Sequence, residues 1–167
     1  MLPILHTPRL FLRPWDEGDL DSIHKLFIDP AVRRYLWDNQ IIEQEQASNV
    51  LKAHLENVQR HRIGYWSIQE SPRGHMLGFC GFRLIPGDEG EIELMYGLLP
   101  LIWGQGMATE ACRSALDYFW QWTQFPRVWA RTDPPNEKSI ATMERLGFQH
   151  YFTTNTMVTY LLERPTP

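Results

Sequence analysis

The stretch from Glu91 to Phe119 changes its residue pattern twice, and the order of these patterns constrains the fold more than any other feature of the chain. Its first residues alternate between polar and apolar side chains with a period of two, which predicts a β-strand. Gly97 and Pro100 interrupt the alternation, since proline has no amide hydrogen and glycine tolerates positive φ. A glycine-containing turn follows, and the residues from Ala108 onward have the one-sided apolar pattern of a helix. The sequence therefore predicts a strand, a glycine turn and a helix in direct succession.

The turn itself runs from Trp103 to Ala108 and has the sequence WGQGMA. The first turn of a helix carries amides without intrahelical partners and a partial positive charge, so it attracts phosphate groups. Gly104 and Gly106 lack the Cβ atoms that would hold a phosphate away from those amides. The same pattern is also typical of an ordinary tight connection, and the turn alone leaves both interpretations open.

The rest of the chain predicts a mixed sheet covered by helices. Period-two segments predict strands over Arg9–Arg13, Tyr65–Gln69, Met76–Leu84, Arg127–Thr132, Gln149–Phe152 and Met157–Glu163. Helical patterns extend from Asp16 to Pro30, from about Ile42 to Arg60, and from Glu137 to Leu146, with Ala31–Trp37 as a short connecting segment. We expect a single α+β (mixed α/β) domain spanning residues 1–167. Its twisted, mostly antiparallel sheet has about seven strands and is flanked by four helices, and the helix after Gly106 crosses over to a parallel Arg127 strand.

Composition narrows the classes of function. The chain has 167 residues, 43% of them hydrophobic, and a net charge of -4, which argues against general nucleic-acid binding. No apolar run approaches the roughly 18 residues of a membrane span, and the start does not resemble a signal peptide. Cys80 and Cys112 lie in apolar patterns, so we expect two buried free thiols and a cytoplasmic protein. The six histidines show no ligand spacing, and none is interpreted as metal-binding.

A second motif, from Asn136 to Phe148 (NEKSIATMERLGF), follows the glycine turn by some thirty residues. Together with WGQGMATEA and an initial TPRLFLR strand, it resembles the GNAT superfamily of N-acetyltransferases, most closely the branch of ribosomal-protein alanine N-acetyltransferases. The resemblance covers nearly the whole chain, and its motifs occur in the family's order and at its distances. It implies an enzyme that uses acetyl-CoA as cofactor.

The resemblance also implies which residues hold that cofactor. The family's pyrophosphate loop corresponds to Trp103, Gly104, Gln105, Gly106, Met107, Ala108 and Thr109. Trp103 departs from the Gln or Arg that the family has there, so we expect its side chain to pack. The splayed end of the central strand, which holds the pantetheine arm in the family, corresponds to Tyr96, Gly97 and Leu98, and Asn136 corresponds to a further cofactor contact.

Acetyl transfer to an amine needs a proton acceptor, because an α-amine has a pKa near 8 and a lysine amine a pKa about 10. Glu93 matches the family position often used as base, with Glu91 as the rival; alternatively, Glu93 is a strand residue paired with Arg83 or Arg131. The Leu98 amide is the expected donor to the oxyanion. The position of the family's tyrosine acid is Met143 here. Ser139 matches the serine proposed as acid in the alanine branch, so the resemblance implies that Ser139 is the acid; alternatively, it only caps or packs in its helix.

The acceptor is a primary amine, either a protein N-terminus or a small molecule, and we expect a monomer or homodimer with no nucleic-acid or membrane partner. Tyr35 and Trp37 lie where the family borders its acceptor site, although aromatic residues there also serve as core anchors. A non-catalytic acyl-CoA-binding module is the alternative function. A dinucleotide-binding oxidoreductase is excluded, because Thr109 stands where a GxGxxG fingerprint needs its third glycine.

Overall fold

A computed structural model describes residues 1–166, with the side chain of Glu89 outside the description. The strands are β1 Leu5–His6, β2 Phe11–Pro14, β3 Tyr65–Gln69, β4 Gly78–Ile85, β5 Asp88–Leu98, β6 Arg127–Thr132, β7 Gln149–Thr153 and β8 Val158–Glu163. The α-helices are α1 Leu20–Phe27, α2 Pro30–Leu36, α3 Gln44–His61, α4 Met107–Trp122 and α5 Glu137–Arg145. Short 3₁₀ turns precede α1 and follow β5. None of the described helices has the length and apolar character required to span a bilayer.

All strands lie in one sheet in the order β1-β2-β3-β4-β5-β6-β8-β7. Neighbouring strands are antiparallel except β5 and β6, whose parallel pairing confirms the predicted crossover through α4. In the described residues, β5 and β6 are in register at one position only, Glu93 opposite Trp129. Both strands continue past that position, β5 to Leu98 and β6 to Thr132, so the sheet opens between their carboxyl ends.

Each face of the sheet is covered by helices over its own apolar core. Alternation along β5 places Ile92 and Leu94 on the face that α4 and α5 cover, where they pack with Phe119 and Met143. The other core lies under α1, α2 and α3 and is rich in aromatic rings, including Trp15 at 5.5 Å from Phe79 between ring centroids. Full burial of a large apolar side chain contributes about 1.5–3 kcal/mol to the free energy of unfolding. The two cores therefore stabilise the packing of the helices on both faces of the sheet.

The predicted fold class is confirmed, and the structure adds one strand and one helix to it. The added strand is β1, which is two residues long and pairs with β2. The added helix is α2, in a segment that the sequence analysis treated as a connection. Pro30 does not simply end α1; it occupies the first turn of α2, where its missing amide hydrogen has no cost. Asp29 caps this helix by accepting a hydrogen bond from the Ala31 amide at 2.9 Å.

Candidate active site

A cleft of about 1660 Å³ occupies the opening between β5 and β6. Its walls bring together the carboxyl end of β5, the glycine turn, the first turns of α4 and α5, and the end of β6. Ligand pockets for drug-sized molecules have volumes of roughly 300–1,000 Å³. The cleft therefore has room for a long cofactor and a second reactant together.

The backbone of Leu98 faces this opening. In an antiparallel pair, alternate residues direct their N–H and C=O groups towards the partner strand and away from it. The Leu99 amide donates to the Leu77 carbonyl at 2.8 Å and Leu98 lies opposite Gly78, so the Leu98 groups point away from β4. The Leu98 carbonyl accepts a hydrogen bond from the Trp103 indole at 2.7 Å. This bond fastens the glycine turn to the end of β5 and leaves the Leu98 N–H directed into the cleft.

The glycine turn has the conformation of an anion-binding cradle. Gly104 and Gly106 have φ values of +70° and +74°, in the left-handed region that other L-residues rarely adopt. A Cβ atom at Gly104 would meet no heavy atom within 4 Å, so the turn is open towards the cleft. Gly106 is also the N-cap of α4, a helix of 16 residues whose first-turn amides carry partial positive charge.

Arg9 lies against this cradle, which sequence reasoning missed. Its Nη1 donates to the Gln105 carbonyl at 2.7 Å, and its Nη2 lies 3.6 Å from the position of a Cβ atom at Gly106. Glu110 fixes the guanidinium by accepting from Arg9 Nε at 2.7 Å, and Thr7 donates to the same carboxylate at 2.6 Å. These bonds lower the pKa of Glu110 against the effect of desolvation, which is the largest contribution and acts in the opposite direction. Glu110 therefore holds the Arg9 guanidinium beside the turn. The sequence signal for this contact was the pair of opposite charges formed by Arg9 in TPRL and Glu110 in ATEA.

Trp103 lines the cleft and is exposed, yet its side chain makes two contacts, so the expectation that it packs and does not bind stays a prediction. Its ring is 38% exposed and lies under the Lys138 ammonium, which is 4.3 Å from the ring centroid. The indole N–H is used in the bond to Leu98. Trp103 thus connects β5, the glycine turn and the first turn of α5, and the cation of Lys138 lies at the rim of the cleft.

Tyr96 and Ser139 form a hydroxyl pair on the α5 side of the cleft. Their oxygens are 2.7 Å apart, and the Tyr96 hydroxyl is also 3.0 Å from the Ser139 carbonyl oxygen. Burial raises the pKa of Tyr96 well above its ordinary value, with a smaller contribution from Cys112, so the phenol stays neutral. Met143, at the position of the family's tyrosine, is 1% exposed and belongs to the core. The hydroxyl pair is therefore the protic group that the structure presents there.

Asn136 shapes the same wall through two internal hydrogen bonds. Its Oδ1 accepts from the Ser139 amide at 3.4 Å, and its Nδ2 donates to Thr132 Oγ1 at 2.9 Å. As the N-cap of α5 it fixes where that helix starts relative to the end of β6. Asn136 lines the cleft, as do Gly97, Met107, Ala108 and Thr109 from the predicted cofactor-binding set.

Glu93 lies in the cleft lining but is only 3% exposed, and each of its oxygens has a guanidinium partner. Arg83 Nε donates to one oxygen at 2.9 Å and Arg131 Nε to the other at 2.7 Å. The hydrogen bond to Glu93 raises the pKa of Arg131. The paired interpretation left open by the sequence therefore holds, with both arginines at once. The role of Glu93 as a base stays a prediction.

The rival base is placed elsewhere. Glu91 is outside the lining of the cleft and forms an ion pair with Arg127, while it accepts from the Trp129 indole at 2.6 Å. These hydrogen bonds, first of all the one from Arg127, lower the pKa of Glu91. Its distance from the cleft corrects the suggestion that it could replace Glu93.

Three further predicted residues have positions that differ from expectation. Tyr35 lines the cleft, but from helix α2 and not from a loop. Trp37 is not part of the cleft lining; it packs in the aromatic core with its ring centroid 5.5 Å from that of Phe27. Its expected substrate contact is therefore corrected to a core contact. The exposed side chain of Gln105 also lies outside the lining and donates to the Leu101 carbonyl.

The residues present fit acetyl-CoA. The positive φ of Gly104 and Gly106 leaves bare amides at a helix N-terminus, which suits a diphosphate, and Arg9 adds a fixed cation beside them. The Leu98 N–H lies further along the same cleft, where a carbonyl oxygen needs a donor. A diphosphate at one end and an acyl group at the other correspond to the two ends of this cofactor.

Comparisons with known proteins identify the family of the chain. An acetyltransferase (GNAT) domain model matches residues 9–149. The uncharacterized N-acetyltransferase p20 of Bacillus licheniformis is 29% identical, over 87% of this chain and 82% of its own length. The spermidine N(1)-acetyltransferase of Escherichia coli (strain K12) is 25% identical, over 88% of this chain and 75% of its own.

Solved structures show the same fold. An acetyltransferase from Agrobacterium tumefaciens superposes with a TM-score of 0.83 at 23% identity, covering 98% of this chain and 95% of that one. An acetyltransferase from Salmonella typhimurium, which modifies the N-terminal serine of ribosomal protein L7/L12, superposes with a TM-score of 0.76 at 18% identity, covering 96% and 99%. The matched domain covers most of the sequence, so the chain belongs to the GNAT acetyltransferases, is an N-acetyltransferase, and has acetyl-CoA as its acetyl donor.

Proposed function

We propose that the protein transfers the acetyl group of acetyl-CoA to a primary amine by direct attack of the amine on the thioester. The observation that carries this proposal is the alignment, in one cleft, of an anion cradle at Gly104 and Gly106 with the free edge of β5 at Leu98. A cofactor held by its diphosphate at the cradle extends its acyl end towards the opening of the sheet. The opening gives a second reactant access to that end.

In this proposal, the amides of the turn from Trp103 to Thr109 and the Arg9 guanidinium hold the diphosphate. Backbone groups of Tyr96, Gly97 and Leu98 hold the acyl arm, and Asn136 keeps α5 in place beside it. When bound, acetyl-CoA supplies the thioester, whose acetyl group goes to the amine and whose sulfur leaves and takes up a proton. The Leu98 N–H is placed to stabilise negative charge on the acetyl oxygen.

Direct attack is favoured over a covalent acetyl-cysteine, because both thiols of the chain are buried and free. Burial raises the pKa of Cys112 far above its ordinary value, so this thiol stays protonated and is a poor nucleophile. We assign Ser139, hydrogen-bonded to Tyr96, as the acid that supplies a proton at the departing sulfur. Glu93 remains the base predicted from the family, and each of its oxygens already has an arginine partner.

The acceptor is a primary amine of one of two kinds. A relative whose alignment covers most of this chain is named as a spermidine acetyltransferase, and a structural neighbour is described as acting on a protein N-terminus. Both acceptors present a flexible amine that could enter the opening beside Tyr35. We further propose a cytoplasmic protein, supported by the two free thiols, and a monomer or homodimer, which sedimentation would distinguish.

The test is a thiol-release assay with acetyl-CoA and a panel of polyamines, aminoglycosides, amino acids and N-terminal peptides, with mass spectrometry of each product. We expect an increase of 42 Da on one amine class, a shift that follows from replacing one N–H hydrogen by an acetyl group. Binding of CoA with no turnover on any acceptor, including a cell extract with labelled acetyl-CoA, would instead indicate the alternative of a non-catalytic acyl-CoA-binding module.

A further inference from the structure

We propose that Asp133, at the end of β6, is the residue that accepts the proton lost by the acceptor amine. This inference rests on the proposed function and goes beyond it, because it assigns the proton transfer to a carboxylate on the opposite wall of the cleft from β5. From the sequence alone, Asp133 is expected to lie in a loop after the Arg127 strand.

The register of the sheet places Asp133 level with the acyl-holding backbone. Glu93 lies opposite Trp129 in the parallel pair of β5 and β6. Four residues beyond this pair, the chain reaches Gly97 on β5 and Asp133 directly after the last residue of β6. Because the strands diverge after the paired position, these two residues lie on facing walls of the opening, and both line the cleft. A group bound between the walls is therefore flanked by Asp133 on one side.

The carboxylate of Asp133 has no partner of its own. Within residues 1–166, neither a hydrogen bond to its side-chain oxygens nor an ion pair with it is present, although its backbone carbonyl accepts from the Asn136 amide at 2.9 Å. The charged group that acts on it is Asp38, which follows α2 on the acceptor side of the cleft. Desolvation, and then the like charge of Asp38, raise the pKa of Asp133. An unpaired carboxylate with a raised pKa is suited to accept a proton near neutral pH.

The other charged side chains lining this end of the cleft leave the assignment unchanged. Arg83 and Arg131 are both committed to Glu93, at 2.8 Å and 2.7 Å. Arg34 also lines the cleft, and its guanidinium lies over the Tyr35 ring, 5.2 Å from the centroid. These three arginine side chains are therefore held by contacts with Glu93 or Tyr35 and not with Asp133.

The contrast between Glu93 and Asp133 follows from these partners. Each Glu93 oxygen already accepts a hydrogen bond from an arginine, whereas within residues 1–166 the Asp133 oxygens accept none. Glu93 is also 3% exposed, on a strand, so a reactant cannot approach its oxygens without displacing an arginine. Asp133 follows the last residue of β6 and lies on the cleft surface.

The proton balance is as follows. The protonated amine carries three N–H hydrogens and the product amide carries one, so two protons leave the nitrogen. One goes to an Asp133 Oδ atom, directly or through a water, and frees the lone pair that forms the new N–C bond as the C–S bond breaks. Ser139 gives its hydroxyl proton to the departing sulfur, and the second proton, which leaves the nitrogen after the N–C bond has formed, passes through solvent to restore the Ser139 hydroxyl. Asp133 then returns its proton to solvent through the open cleft.

Two substitutions test the assignment against Asp88→Asn, a matched control at an exposed aspartate outside the cleft lining. We expect Asp133→Asn to lower kcat about 100-fold at pH 7 with KM changed less than about threefold, since general-base catalysis contributes roughly 10²–10⁴-fold. The difference in kcat between Asp133→Asn and the wild type should become smaller as the pH approaches the pKa of the free amine. Asp38→Asn should move the acidic limb of kcat/KM to lower pH, because it removes the like charge beside Asp133.

Two readouts do not depend on turnover. CoA affinity, measured by calorimetry, should be the same in the wild type, Asp133→Asn and Asp88→Asn. In the protein without ligands, carboxyl-¹³C NMR should show Asp133 titrating above the ordinary aspartate range, and Asp38→Asn should lower that pKa.

The inference is overturned if Asp133→Asn keeps kcat within about threefold of wild type, or raises KM alone, which would make Asp133 an anchor for the amine. A 100-fold loss in Glu93→Gln with Asp133→Asn unaffected would return the role to Glu93. These outcomes are separate from failure of the proposed function, in which the wild type itself would bind CoA and turn over no amine.

Discussion

Substituting Gly106 by alanine tests the anion cradle most directly. The residue has φ +74°, where an L-side chain costs about 1–2 kcal/mol, so we expect unfolding free energy to fall by about that amount. The new Cβ would lie 3.6 Å from Arg9 Nη2, in the space between the turn amides and the guanidinium. A phosphate displaced from there loses charge-assisted hydrogen bonds, each contributing about 1.5–3 kcal/mol, so the Kd for CoA should rise roughly 10- to 150-fold.

The matched control is Gly147→Ala. Gly147 has φ +92° and ends α5, and a Cβ there would meet Leu162 at an ordinary 3.8 Å, outside the cleft. Chemical denaturation should therefore show a similar loss of stability for both variants, while isothermal titration calorimetry shows weakened CoA binding for Gly106→Ala alone. Equal CoA affinity in the two variants would refute the reasoning that the turn holds the diphosphate.

Three further predictions concern the other walls and the core. Ser139→Ala should lower kcat at least about tenfold in the thiol-release assay with CoA affinity unchanged, whereas equal turnover would exclude Ser139 as the proton donor. Trp103→Phe removes the indole bond to Leu98 but keeps an aromatic ring, and we expect stability to fall by about 1 kcal/mol and hydrogen exchange in the glycine turn to accelerate. Burial lowers the pKa of His54, so the contribution of neutral His54 to stability is present above the unfolded pKa of about 6.5 and is lost as pH falls through the folded pKa. The midpoint of acid unfolding should therefore move to lower pH in a His54→Gln variant. An unmoved midpoint would contradict this.

The sequence predicted the fold well where patterns are long and local. Strands Tyr65–Gln69 and Arg127–Thr132 have the bounds expected from their alternation, and Gly147 ends α5 as its position indicated. It failed at α2, because Asp29-Pro30 resembles a helix end when only the preceding residues are considered. The same pair is a cap followed by a proline in the first turn of the next helix.

The site was predictable to the extent that one motif contains it. The glycine turn is contiguous, so its conformation followed from local chemistry. The sequence predicted Arg83 or Arg131 as the alternative partner of Glu93, but it did not show that both arginines bind the carboxylate at once, because that depends on the register of β4 and β6 against β5. The bond between Arg9 and Glu110 joins residues 101 positions apart, and the exclusion of Trp37 from the cleft depends on how α2 packs. Long-range pairing therefore separated what was predicted from what was not.

The single backbone pairing between β5 and β6 has a consequence for how such an enzyme could change its acceptor. The nucleotide cradle belongs entirely to elements on the β5 side, whereas Asp133 and the start of α5 belong to the β6 side. Because Glu93 and Trp129 are the only pair in register between these strands within residues 1–166, substitutions on the far wall can reshape the acceptor end while nucleotide binding stays intact. The opening thus separates the half of the site that binds the nucleotide, which can stay unchanged, from the half that binds the acceptor, which can vary.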